Sequence, residues 1–152
     1  MQRLARMSRL AVSAASLLLF AGVVSAAEKK LTHCFYFTVI EAATQADWDA
    51  FYKATEALPG KIPGLTGVSY GKLVRPLMLF APDREAAKKL RAGEKAVTGE
   101  IRQQVRQAGV CMQFESEAAL KAYAKDPAHE AWVAVYSKVR VAGTTTIDFI
   151  AP

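Results

Sequence analysis

The sequence predicts an α+β domain with one antiparallel sheet and helices packed on one of its faces. Three observations carry that expectation. Runs of β-branched and aromatic residues alternate with amphipathic helical runs along the chain. Apart from one less regular stretch, the order reads strand–helix–strand–strand–helix–strand. The first strand, Leu31–Val39, carries bulky groups on both faces, so each face needs a cover. That order is the ferredoxin-like split βαβ arrangement with a four-stranded antiparallel sheet. Helices cover one face, and a second copy of the chain is the simplest cover for the other, giving a homodimer.

In the first strand His33, Phe35 and Phe37 share one face, and Cys34, Tyr36 and Thr38 the other. Thr44 is a good N-cap. Trp48, Phe51, Tyr52, Thr55 and Leu58 follow at the spacing of one helical face, and Pro59-Gly60 stops that helix. Ile62-Pro63-Gly64-Leu65 reads as a turn, and Val68–Val74 as a second strand interrupted by Gly71. The stretch from about 75 to 108 reads as an insertion. Pro76 and Pro82 bracket an apolar patch, Asp83 caps a short helix through Ala92, and Val97, Ile101 and Val105 suit an extended edge segment. Val110–Glu115 is the third strand, with Val110, Met112 and Phe114 on one face. Ser116 caps a helix that contains Leu120 and Tyr123. Asp126 caps the next, with Pro127 at its first position, and Trp132, Val135, Tyr136 and Val139 mark its buried stripe. Gly143 ends the connection, and Thr144–Ile150 is the fourth strand.

Residues 1–26 read as a secretory signal peptide. Arg3, Arg6 and Arg9 precede the apolar run Leu10–Val24, and Val24-Ser25-Ala26 offers small residues for cleavage near Ala26. The domain is then 27–152, and the protein is exported to the periplasm or beyond; membrane attachment would follow only from a retained leader. The 152 residues carry 20 basic and 14 acidic side chains. Without the three leader arginines, 17 basic against 14 acidic leaves a net charge of +3. With no aromatic-and-basic stripe, nucleic-acid binding is not expected.

The acid–base chemistry open to this chain centres on Tyr123 and His129. They lie on opposite sides of the Asp126-Pro127 corner, so their side chains can converge on one small volume. In the first turn of its helix His129 meets the positive end of the helix dipole, which disfavours a second proton and suits a neutral base. Tyr123 would donate a hydrogen bond to a carbonyl that becomes an enolate. His33 is a second polar group for the pocket, or a local cap at the strand end. Phe35, Phe37, Phe51, Val110, Met112 and Trp132 are candidates for the lining of an apolar cavity, or for plain core. Two histidines without an acidic cluster make no metal site, and no cofactor is implied. Cys34 and Cys111 fall on the same face of neighbouring strands. They can form a disulfide if register brings their Cα atoms within about 7 Å; two buried thiols are the alternative.

These features together resemble the stress-responsive dimeric α+β barrel family. The matching residues are His33, Ile62-Pro63-Gly64-Leu65 with Gly71, Phe114-Glu115-Ser116, and Leu120-Lys121-Ala122-Tyr123 running into Asp126-Pro127-Ala128-His129. The resemblance spans Leu31 to about Ile150, apart from the insertion. It implies two subunits whose sheets close one barrel, with a pocket between sheet and helices in each. Plant polyketide cyclases of that family pair the His of Pro-Ala-His with the upstream Tyr, which maps onto His129 and Tyr123. The family pattern often has His before the Pro, where this chain has Asp126. The expectation is an exported dimer that binds a small, largely apolar molecule, with metal-independent cyclase-, lyase- or isomerase-like chemistry. A non-catalytic binding or stress-protection protein, and a cofactor-free oxygenase, are the alternatives.

Overall fold

The computed structural model describes residues 30–150. The signal segment, 1–26, lies outside the described residues. Eight elements follow one another: β1 (Leu31–Val39), α1 (Gln45–Glu56), β2 (Leu65–Pro82), α2 (Arg84–Arg91), β3 (Ile101–Phe114), α3 (Glu117–Tyr123), α4 (Pro127–Tyr136) and β4 (Arg140–Ile150). The strands form one antiparallel sheet in the order β2-β3-β1-β4. This is the ferredoxin-like α+β architecture. Among the described residues, no helix is long and apolar enough to cross a membrane.

Local chemistry sets the helix starts. Thr44 and Asp47 form a reciprocal capping box at α1. Asp83 accepts from the backbone of Ala86, Ser116 from Ala119, and Asp126 from Ala128, each satisfying an orphan N–H of the helix it opens. Pro127 occupies the first turn of α4, where a missing N–H costs nothing.

The helices pack on the face that carries Phe35, Phe37, Val110, Met112 and Phe114, all buried. An aromatic cluster joins the layers. Phe37 meets Phe51 edge-on at 6.0 Å and Tyr136 at 4.9 Å, while Phe35 meets Trp132 at 5.8 Å. Trp132 Nε1 donates to Thr55 Oγ1 at 2.9 Å, and that hydroxyl donates to the Phe51 carbonyl at 2.7 Å. Both polar groups of the α1–α4 contact are thereby satisfied inside the core.

The opposite face holds Cys34 and Cys111, directly paired across β1 and β3 with Cα atoms 4.0 Å apart and joined by a disulfide. Tyr36 lies over Gly109; a Cβ there would sit 2.6 Å from its ring, so the position is reserved for glycine. On β4 the same face presents Ile147 and Phe149, 44% and 50% exposed, beside Cys34 and Thr32.

Three expectations about strand ends are corrected. The second strand does not stop at Val74: β2 continues through Pro76 to Pro82, and β3 begins at Ile101 rather than Val110. The two form a long ribbon closed by α2, and the segment expected at Val97–Val105 is a strand only from Ile101. Pro76 is tolerated because the ladder shifts register between Lys72 and Leu77 on an edge strand, so its missing N–H breaks no bond. Finally, α4 ends at Tyr136, and β4 starts at Arg140, before Gly143. The β1–β4 register shifts between Phe37 and Val39, and Gly143 takes φ 96° within the strand, so it shapes a bulge instead of ending a loop.

Candidate functional site

Reading across the sheet on its helix-covered face explains where a hollow opens. One row runs Asp148, His33, Met112, Val68, and the next Thr146, Phe35, Val110, Tyr70. Polar, shorter side chains come from β4, and apolar ones from β3. The α3–α4 corner stands over the β1–β4 side, and a cavity of about 520 Å³ lies between. Its walls come from β1, β4, α3, α4 and the turn between the last two helices. They include His33, Phe35, Tyr123, His129, Trp132 and Asp148.

Tyr123 and His129 meet at the corner with ring centroids 4.2 Å apart and planes tilted by 47°. The Asp126 cap and Pro127 turn the chain sharply enough for a residue at the end of α3 to touch one in the first turn of α4. Trp132 stacks on His129, with centroids 5.9 Å apart and planes within 22°. Burial holds His129 below its ordinary 6.5, and His33 adds to that; the backbone carbonyl of Ala124 and the carboxylate of Asp126 oppose it. His129 is therefore neutral at pH 7. Burial also pushes the Tyr123 phenol well above its ordinary 10, so it stays protonated and able to donate.

His33 is not a local cap. Its Nδ1 pairs with Asp148 Oδ1 at 2.6 Å, across the directly opposed His33–Asp148 position of β1 and β4. Its ring lies 6.3 Å from that of Tyr123. Of the residues expected to line the cavity, His33, Phe35 and Trp132 do. Phe37, Phe51, Val110 and Met112 do not: each is at most 1% exposed in the packed core. Val110 and Met112 stand on β3, one strand further from the cavity. Phe51 belongs to α1, and Phe37 is closed over by Phe51, Trp48 and Tyr136.

Three lining residues carry polar chemistry that the sequence reading passed over. Asp148 was not singled out; the β1–β4 register places it directly opposite His33. Tyr136 read as core stripe, yet it also faces the cavity. Arg140 read as connection and is the first residue of β4, with its guanidinium 4.5 Å over the Tyr136 ring. Among the described residues, no group of three or more His, Cys, Asp or Glu side chains is placed to hold a metal ion.

Comparison with solved structures returns the same architecture at low sequence identity. A dimeric protein of unknown function with a ferredoxin-like fold from Bacteroides fragilis aligns at 17% identity with a TM-score of 0.52, over 80% of this chain and 96% of that one. A Dabb family protein from Mesorhizobium loti aligns at 16% identity and TM-score 0.52, over 82% and 99%. The hydroxynitrile lyase from Passiflora edulis aligns at 11% identity and TM-score 0.56, over 84% and 96%. At these identities the likeness establishes the fold. No curated protein sequence matches the chain significantly. The family model for the stress responsive A/B barrel domain matches residues 81–151, a span that contains Tyr123, His129, Arg140 and Asp148. By that match, residues 81–151 are similar to the stress responsive A/B barrel domain.

Proposed function

We propose that the hollow beside the Asp126-Pro127 corner binds a small, largely apolar carbonyl compound and performs acid–base chemistry on it. The observation that carries this reading is the contact of a neutral imidazole with a protonated phenol on the wall of a 520 Å³ cavity. His129 takes a proton from the carbon next to the carbonyl. The electrons of that C–H bond move onto the carbonyl oxygen, and the Tyr123 hydroxyl donates to the resulting enolate. Return of the proton to carbon, or loss of a leaving group, completes an isomerase- or lyase-like step. Tyr123 suits the donor role because burial keeps its proton on through the neutral range. The hydroxynitrile lyase from Passiflora edulis shares this fold, so the fold can host a lyase.

The binding-only reading has one observation in its favour. The Ala124 carbonyl lies against the His129 ring, a contact that also pins the corner. The experiment that separates the two is deuterium exchange at the α-carbon of small aryl ketones in heavy water, followed by NMR. The catalytic reading expects the protein to accelerate exchange, and His129→Ala to reduce that rate about 10²–10⁴-fold while the fold and melting temperature stay close to wild type. Equal rates for the two proteins, or an unfolded variant, would make His129 a structural residue.

In the same reading the working unit is a homodimer. The exposed Ile147 and Phe149 face is the surface a second copy would cover, and structural relatives are dimeric. The protein acts after export, which suits both the leader pattern of residues 1–26 and the Cys34–Cys111 disulfide.

A further inference from the structure

Two buried polar atoms in the described chain have no hydrogen-bond partner, Arg140 Nε and the Tyr136 hydroxyl. Both belong to residues that line the cavity already described. They are also neighbours, since the Arg140 guanidinium lies 4.5 Å from the Tyr136 ring centroid. A contact with the ring gives the guanidinium a π face and no oxygen acceptor. The Nε–H of Arg140 is left without an acceptor beside that ring. A buried donor left unpaired costs folding free energy, a cost that an acceptor reaching it, a ligand oxygen or a water, relieves.

The other charges on the cavity wall are already engaged. Lys121 is paired with Glu117 at 2.8 Å, and Asp148 with His33 at 2.6 Å. Among the described residues no carboxylate lies within ion-pair distance of Arg140. The cavity is thus apolar along Phe35 and Trp132, acid–base at Tyr123 and His129, and cationic at Arg140.

We infer that Arg140 and Tyr136 form an anion subsite for the carboxylate of the ligand, and that the pocket selects small aromatic or aliphatic carboxylic acids over their neutral counterparts. This rests on reading the hollow as a ligand site, and it adds the class of molecule that enters. A carboxylate fits because it is planar and singly charged. The guanidinium of this cavity-lining arginine can offer two parallel N–H bonds to the two carboxylate oxygens, a fork that a Lys could not offer. The Tyr136 phenol donates to the same group, and burial raises it enough to keep its proton. With the carboxylate held there, the apolar body lies along Trp132 and Phe35, and its reactive carbon is directed toward the corner.

The test uses two probes of one shape, 2-naphthoate and 2-naphthamide, titrated calorimetrically into the whole protein near pH 7.5. Wild type should bind the carboxylate at least about tenfold more tightly than the amide. Arg140→Gln should weaken naphthoate by about 10–100-fold and leave the amide nearly unchanged. Tyr136→Phe should weaken it by a smaller factor, about fivefold. Arg140→Lys keeps the charge but not the fork, so it should fall between wild type and Arg140→Gln; with Tyr136→Phe it carries the test if Arg140→Gln does not fold. Equal binding of both probes by wild type would overturn the anion subsite while leaving the pocket reading intact. A carboxylate preference that survives both Arg140→Gln and Tyr136→Phe would overturn it too. Failure of both probes to bind at millimolar concentration would remove both readings together, and binding of the amide alone would overturn the anion subsite.

Discussion

The two halves of the helix-covered sheet face are built from similar residues and end differently. Over β1 and β3, α1 lays Trp48 and Phe51 onto Phe37, and the space fills solid. Over β1 and β4, the α3–α4 corner stands above Thr144, Thr146 and Asp148, and a hollow remains. Aromatic content does not separate them, since Phe35, Tyr123 and Trp132 are as bulky as anything under α1. What differs is the strand beneath. β3 offers Ala108, Val110 and Met112, whereas β4 offers two threonines and an acid. Shape is also different: α1 is one continuous twelve-residue helix, while the corner divides the layer into two shorter ones. A packed half can support a hollow half because the same Trp132–Thr55 hydrogen bond ties them together.

The largest effect expected from that contrast is on stability. Phe51→Ala leaves a void among Phe37, Tyr136 and Trp132, which can move little to fill it. Urea unfolding should show a loss of about 3–5 kcal/mol. His129→Ala, on the half-buried hollow side, should cost about 1 kcal/mol or less. Equal losses from the two would mean that the corner is as tightly packed as the α1 side, and the division between the halves would fail.

Next in size is the disulfide. Cys34 and Cys111 close a stretch of 77 residues on the sheet face turned away from the cavity. Replacing both by Ser should lower unfolding stability by about 2–4 kcal/mol. Naphthoate affinity should not change with it, because the cavity walls come from the other face. A large drop in affinity on reduction would show that the hollow depends on strand register held by the bond, and not on the helices above.

The same contrast separates what the sequence carries openly from what it hides. Periodicity placed Phe51, Thr55 and Trp132 on buried helical faces, and the Asp126-Pro127 signal located the corner before any fold was in hand, because capping is a local interaction. The alternation of Cys34 with Phe35 put the two cysteines on one face. The polar wall was not legible. Asp148 meets His33 only through the β1–β4 register, which depends on a bulge beside Gly143 that no short window reveals. Arg140 begins the strand four residues before the expected start at Thr144, so its position over Tyr136 was out of reach. Phe37, Phe51, Val110 and Met112 show the converse limit. Apolar spacing marks burial but cannot say whether a buried residue faces its neighbours or a void.

The smallest effect is on pH dependence, and it tests the hollow side directly. His129 titrates below 6.5 in the folded chain and at its ordinary value when unfolded. Between those two values the unfolded chain binds more protons, so stability rises with pH there and is lost as pH falls from above 6.5 toward the folded value. Below the folded value both states are protonated and the loss levels off. Activity follows the same group. The acid limb of kcat/KM should lie below the ordinary His range, and the basic limb above the ordinary 10 of Tyr, because burial raises Tyr123. Urea midpoints of wild type and His129→Gln, compared between about pH 4.5 and 8, isolate the contribution of this one group from that of the His33–Asp148 pair. Wild type should lose ground to the variant as pH falls. If it gains instead, His129 is stabilised as a cation in the folded chain, and a neutral base at the corner is ruled out.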